Sequence, residues 1–90
     1  GVYAVLFLYK KETYKGMMNI GMRPTVNQSD LKKTIEVHIF RFEEDLYQKN
    51  VSVSFCFRIR DEKKFANVQE LKNQLVIDRK KSIELLDKII

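Results

Sequence analysis

Val51-Ser52-Val53-Ser54-Phe55-Cys56-Phe57-Arg58-Ile59-Arg60 decides the fold class, because it sets Val51, Val53, Phe55, Phe57 and Ile59 against Ser52, Ser54, Cys56, Arg58 and Arg60. Successive side chains of an extended chain project to opposite faces, so strict alternation reads as a half-buried strand. Just upstream, Thr34 to Phe42 repeats the pattern, with Ile35, Val37 and Ile39 facing one way and Glu36, His38 and Phe40 the other. The polar stretch Glu43 to Asn50 turns the chain between the two.

At the start of the chain, Val2 to Tyr9 is an apolar run of β-formers that needs cover on both faces when extended. Lys10-Lys11-Glu12-Thr13 is a polar connection, and Tyr14 to Met22 returns as a second strand. Gly16 and Gly21 near its ends mark a bulge, a sharp bend or a close approach of backbone to a ligand. Pro24, with no N–H to donate, ends the pairing, and the polar, aperiodic Val26 to Lys33 is a loop. Four antiparallel strands with short connections predict a meander. Apolar residues on both faces of its first strand predict a sheet that curls into a barrel or is covered. Asn67 then opens a C-terminal helix as N-cap, with Glu70 at the capping-box position. Val68, Leu71, Leu75, Ile83, Leu86 and Ile90 form a stripe expected to lie on the sheet. Asp78 and Glu84 are expected to pair within the helix with Lys80 and Lys81.

The chain has 90 residues, 44% of them apolar, and 17 Lys and Arg against 12 Asp and Glu, a net charge of +5. A chain of this length supports one domain, residues 1–90, burying roughly 60 to 65% of the surface its unfolded form exposes. The single cysteine, Cys56, excludes an internal disulfide, and no His or Cys cluster offers a zinc site, so a reducing, cytoplasmic setting is expected. Val2 to Tyr9 is too short to span a bilayer and no charged leader precedes an apolar segment, so no membrane association is expected. The lysine pairs at 10–11, 32–33, 63–64 and 80–81 are scattered beside acidic residues, which argues against a dedicated nucleic-acid surface. An opening on Gly1-Val2-Tyr3-Ala4-Val5, without Met or a polar lead-in, is expected of a domain fragment cut from a longer chain.

Glu36 interrupts a run of β-branched residues and shares a face with His38. A carboxylate on a rigid strand beside a pocket can take a proton from an attacking hydroxyl. By spacing alone, the commoner reading is a solvent-facing Glu on an edge strand. His38 lacks a second ligand at metal spacing, and Cys56 reads as a small packed side chain. No phosphate-binding glycine loop, dinucleotide fingerprint or serine nucleophile elbow occurs. The residues by themselves leave three classes open: an enzyme, a non-catalytic barrel binding a flavin, a nucleotide or single-stranded nucleic acid through aromatics and Arg, or a structural module that only contacts a partner domain.

Six segments in order go further: Gly1-Val2-Tyr3-Ala4-Val5, Asn19-Ile20-Gly21-Met22-Arg23-Pro24-Thr25, Ile35-Glu36-Val37-His38-Ile39-Phe40, Asp45-Leu46-Tyr47, Ile59-Arg60-Asp61-Glu62-Lys63-Lys64-Phe65, and Leu71-Lys72-Asn73-Gln74-Leu75-Val76-Ile77-Asp78. Together they resemble the riboflavin kinase domain, which in bacteria forms the C-terminal half of the bifunctional riboflavin kinase/FAD synthetase. The resemblance covers essentially the whole chain. It implies a mainly β fold, an antiparallel Greek-key barrel with a C-terminal helix, of which residues 1–90 are the C-terminal portion with the first strands missing. It implies phosphorylation of riboflavin by ATP with Mg²⁺, giving FMN and ADP, and a possible adenylyltransferase domain preceding this one.

The same resemblance makes Glu36 the general base on the 5′-hydroxyl, places Tyr47 on the ATP side, and sets Arg60 and Phe65 on the flavin side. Read without the family, Tyr47 and Phe65 are buried aromatics, and Arg60 pairs with Asp61 or Glu62. The family's Pro-Thr-Ala-Asn metal motif lies upstream of the Gly-Val-Tyr-Ala-Val strand. Pro24-Thr25-Val26-Asn27 mimics it in the wrong place, so no metal role is carried onto Thr25 or Asn27. The 90 residues by themselves are therefore expected to lack the Mg²⁺ ligands and kinase activity, and to expose an open edge that pairing into a homodimer would relieve.

Overall fold

A computed structural model describes residues 1–24, 31–42 and 50–90. They form strands β1 (Val2–Tyr9), β2 (Glu12–Pro24), β3 (Leu31–Ile39) and β4 (Ser52–Arg60), followed by helix α1 (Val68–Leu86). All pairings are antiparallel and the sheet order is β3-β2-β1-β4. β4 lies beside β1, which corrects the meander expected from the connection lengths. A fourth strand returning beside the first is Greek-key connectivity. The reason lies in β1, where Val2, Ala4, Val5, Phe7 and Tyr9 are all buried. A strand buried on both faces belongs inside a sheet with a neighbour on each side. The sheet is open, with β3 and β4 at its edges.

The β1–β2 hairpin turns on Lys10 and Lys11 alone, shorter than the polar connection expected, with φ of 49° and 66°. Two central residues at positive φ are what a two-residue hairpin requires to match the strands' right-handed twist. β2 runs to Pro24, where its pairing with β3 stops at Leu31. The glycines of β2 do mark close approaches, but to the chain itself. A Cβ at Gly16 would sit 2.5 Å from Phe7 Cε2 and 2.6 Å from the His38 carbonyl oxygen, and one at Gly21 would meet the Glu62 carboxylate.

β4 departs from strict alternation. Its register against β1 shifts between Val5↔Phe55 and Ala4↔Phe57, and again between Tyr3↔Arg58 and Val2↔Arg60. Cys56 and Ile59 are therefore extra residues, and each bulge reverses the phase of the residues beyond it. Phe57 comes opposite Ala4 rather than continuing the row of Val53 and Phe55.

Two apolar clusters lie on opposite faces of the sheet. Val5, Phe7 and Met18 form one, flanked by Tyr3, Ile20, Ile39 and Val53. Val2, Met17 and Phe40 form the other, joined by Ile59 and by Ile83 of α1. Asn67 caps the helix as expected, its Oδ1 accepting the Glu70 N–H at 2.9 Å, but Glu70 Oε2 accepts the Ala66 N–H at 3.1 Å, one residue before the N–H a capping box would use. Of the apolar stripe, Ile83 and Leu86 seat the helix. Val68 is 66% exposed, Leu71 and Leu75 are exposed, and the buried row is Asp78, Ser82 and Leu86, one turn apart. No helix among the described residues is long and apolar enough to cross a membrane.

Candidate active site

The helix-facing side of β2 and β3 carries Asn19 and Glu36 directly opposite one another, with Met17 opposite His38 one step along. In antiparallel strands such facing pairs project to the same side. With Val2 of β1 and Arg60 at the end of β4 they floor a cleft of about 210 Å³. The connector between β4 and α1 supplies its wall through Lys63 and Phe65, and Leu71 and Leu75 of α1 overhang it. The half-exposed leucines are thus explained: they cover a cavity rather than the sheet.

Glu36, Arg60 and Phe65, taken from separate segments of sequence, therefore line one cleft. Tyr47, Thr25 and Asn27 lie outside the described residues. Arg60 is held differently from either pairing expected of it. Its Nε donates to Asp78 Oδ1 at 2.9 Å and Oδ2 at 3.0 Å, and its Nη2 to Asp78 Oδ2 at 2.8 Å. Nη1 donates to the Asp61 carbonyl oxygen at 3.0 Å, and Arg58 is the residue paired with the Asp61 carboxylate. Asp78 is accordingly no partner of Lys80 or Lys81: it is 1% exposed, and Gln74 Nε2 donates to it at 3.0 Å from one turn earlier.

The wall is cationic and aromatic. The Arg60 guanidinium carbon and Lys63 Nζ each lie 5.7 Å from the Phe65 ring centroid. Cations over a ring face are attracted by its quadrupole, so the three side chains support one another. The connector is tied to β2 where the Met22 N–H donates to Glu62 Oε2 at 3.4 Å.

One residue of the cleft is given no role by its sequence. Asn19 Oδ1 is buried and has no hydrogen-bond partner among the described residues. A buried acceptor left unpaired costs free energy until a donor reaches it. An acceptor opposite a carboxylate, beside a cation–aromatic wall, suits a ligand with hydroxyl donors and a flat ring. A resident Mg²⁺ does not fit. Among the described residues lining the cleft, Arg60 and Lys63 outnumber the one carboxylate, Glu36, so the cleft's own charges repel a cation rather than hold it.

Comparison with known proteins gives the family. A family model described as flavokinase, riboflavin kinase, matches residues 1–86. The RNA-binding riboflavin kinase RibR of Bacillus subtilis is 40% identical over 78 residues, covering 87% of this chain and 34% of that protein. A bifunctional riboflavin kinase/FMN adenylyltransferase of Haemophilus influenzae is 43% identical over 79 residues, covering 87% of this chain and 25% of that protein. A solved chain of Streptococcus pneumoniae, described as a macrolide-efflux protein, superposes with a TM-score of 0.77 at 35% identity, over 89% of this chain and 26% of its own. The chain thus spans about a third of the first relative's length and a quarter of the second's.

Proposed function

The chain belongs to the riboflavin kinase family, and from that premise we propose that residues 1–90 are the C-terminal portion of a kinase domain that phosphorylates riboflavin. The ribityl 5′-hydroxyl oxygen attacks the γ-phosphorus of ATP and the bond to the β,γ-bridging oxygen breaks. ADP leaves, and the hydroxyl proton passes to the Glu36 carboxylate. Phosphoryl transfer asks a protein mainly for positioning and charge neutralisation, so one carboxylate on a rigid strand is a sufficient base. Arg60 and Phe65 take the flavin side, where a ring stacks against the cation–aromatic wall. Asn19 Oδ1 accepts from a ribityl hydroxyl. Tyr47 on the ATP side, Mg²⁺ accompanying ATP on ligands outside these residues, and a cytoplasmic setting belong to the same proposal. So does an FMN adenylyltransferase region in the same protein, as the name of the Haemophilus influenzae relative suggests.

The observation that carries the reading is the convergence of Glu36, Arg60 and Phe65 on one cleft between sheet and helix. Its test is Glu36→Gln in the full protein, which keeps shape and hydrogen-bonding capacity but cannot take the proton. FMN formation from riboflavin and MgATP is expected to fall about 10²- to 10⁴-fold, with the thermal midpoint and flavin fluorescence quenching retained. Unchanged turnover would remove Glu36 from the reaction.

A further inference from the structure

We propose that Asp78 is the positioning residue of the flavin side: it acts through Arg60, presenting the guanidinium plane to the cleft, and so sets the affinity for riboflavin rather than the rate of transfer. The inference rests on the kinase reading above. Asp78 does not line the cleft. Its carboxylate lies beneath the helix, 1% exposed, with one oxygen held by Gln74 and both turned to the Arg60 fork. A fork bonded through Nε and Nη2 fixes the plane of the guanidinium as well as its position. That plane reaches the cleft beside Phe65.

Seating the helix does not by itself call for this pair. Desolvating a carboxylate and a guanidinium is costly, and an apolar contact of similar volume commonly serves as well or better. Ile83 and Leu86 already join α1 to the sheet by such burial. What an apolar contact at position 78 would not supply is a cation held at one orientation where the ligand arrives. Lost orientation appears as weaker ground-state binding of the flavin, while Glu36, on the opposite edge strand, keeps its place.

The experiment is steady-state kinetics on the full protein, varying riboflavin and MgATP separately, with fluorescence quenching as a direct measure of flavin binding. Asp78→Asn is expected to raise the riboflavin KM about tenfold, with kcat and the MgATP KM changed by less than about threefold. In an Arg60→Lys background the same substitution is expected to add less than about twofold, because a residue acting through Arg60 has nothing left to position. A folded Asp78→Asn protein with unchanged riboflavin KM, or effects of the two substitutions that multiply, would overturn the proposal. Should Asp78→Asn not fold, Gln74→Leu removes the donor that steadies the carboxylate. It is expected to raise the riboflavin KM about threefold, and no change there is equally fatal. A wild-type protein that forms no FMN defeats the kinase reading and this inference with it, whereas an active wild type with an indifferent Asp78 defeats the inference alone.

Discussion

A buried polar atom without a partner costs a small domain stability; among the described residues Asn19 Oδ1 and Ser82 Oγ are such atoms, and that of Asn19 lies opposite Glu36 beside the cleft. Replacing a lone unpaired polar group by an apolar one of similar size removes its desolvation penalty. Asn19→Leu is therefore expected to raise stability by about 1 kcal/mol in denaturant melts while weakening riboflavin binding about fivefold, since the ribityl donor then meets a methyl group. A variant that binds flavin as well as wild type would strip Asn19 of its role. Glu36, Arg60 and Phe65 are legible from ordered sequence segments, because each sits in a stretch whose neighbours resemble the family. Asn19 sits in such a stretch without showing what it does, since orphaning depends on which donors reach it in three dimensions. Asp78 reads as a solvated helix acid because most are. The signal that finds it is Gln74, Asp78, Ser82 and Leu86 at spacings of four, a row in which polar residues share a helix face with a leucine.

At the scale of elements, strands and helix are legible by period, while their partners and phases are not. Alternation in Val51 to Arg60 announces a strand, yet bulges at Cys56 and Ile59 return Arg60 to the helix side only after reversing Phe57. A bulge responds to the twist of the neighbouring strand, which no local pattern encodes. The helix stripe misleads for a related reason, as Leu71 and Leu75 overhang a cavity while Ile83 and Leu86 pack against the sheet. The β1–β2 turn yields a prediction of its own. Lys10 and Lys11 hold positive φ without being glycine, asparagine or aspartate, at a cost of order 1 kcal/mol each. Lys11→Gly relieves the more strongly left-handed of the two and is expected to stabilise the fold by about 0.5 to 1 kcal/mol, partly offset by the freedom glycine gains when unfolded. Gly16→Ala has the opposite sign. The His38 carbonyl oxygen 2.6 Å from the added carbon cannot yield without breaking the β2–β3 ladder, so a loss of about 1 to 3 kcal/mol is expected. Chemical denaturation of the two variants beside wild type measures both, and a shared sign would contradict the backbone account.

For the molecule as a whole, helix α1 covers one face of an open sheet and leaves the other to itself. On that second face Ile35, Val37 and Phe55 are 58%, 49% and 55% exposed, beside the buried Val5, Phe7 and Met18. Among the described residues the same strands, β3 and β4, are the sheet's edges, so exposed apolar side chains and sheet edges coincide. That combination favours edge-to-edge association, tempered by the inward Glu36 on β3 and the bulges at Cys56 and Ile59 on β4. The 90 residues expressed by themselves are therefore expected to self-associate reversibly in sedimentation, binding a hydrophobic dye and forming no FMN. Ile35→Thr with Phe55→Thr is expected to reduce both association and dye binding, because the strand pattern survives while the apolar row is broken. A monomer at every concentration would show that the exposed face is tolerated without cover. FMN formation by the 90 residues would show that the cleft beside Glu36 carries the whole reaction, and the expectation that the metal motif lies outside this sequence would then be wrong.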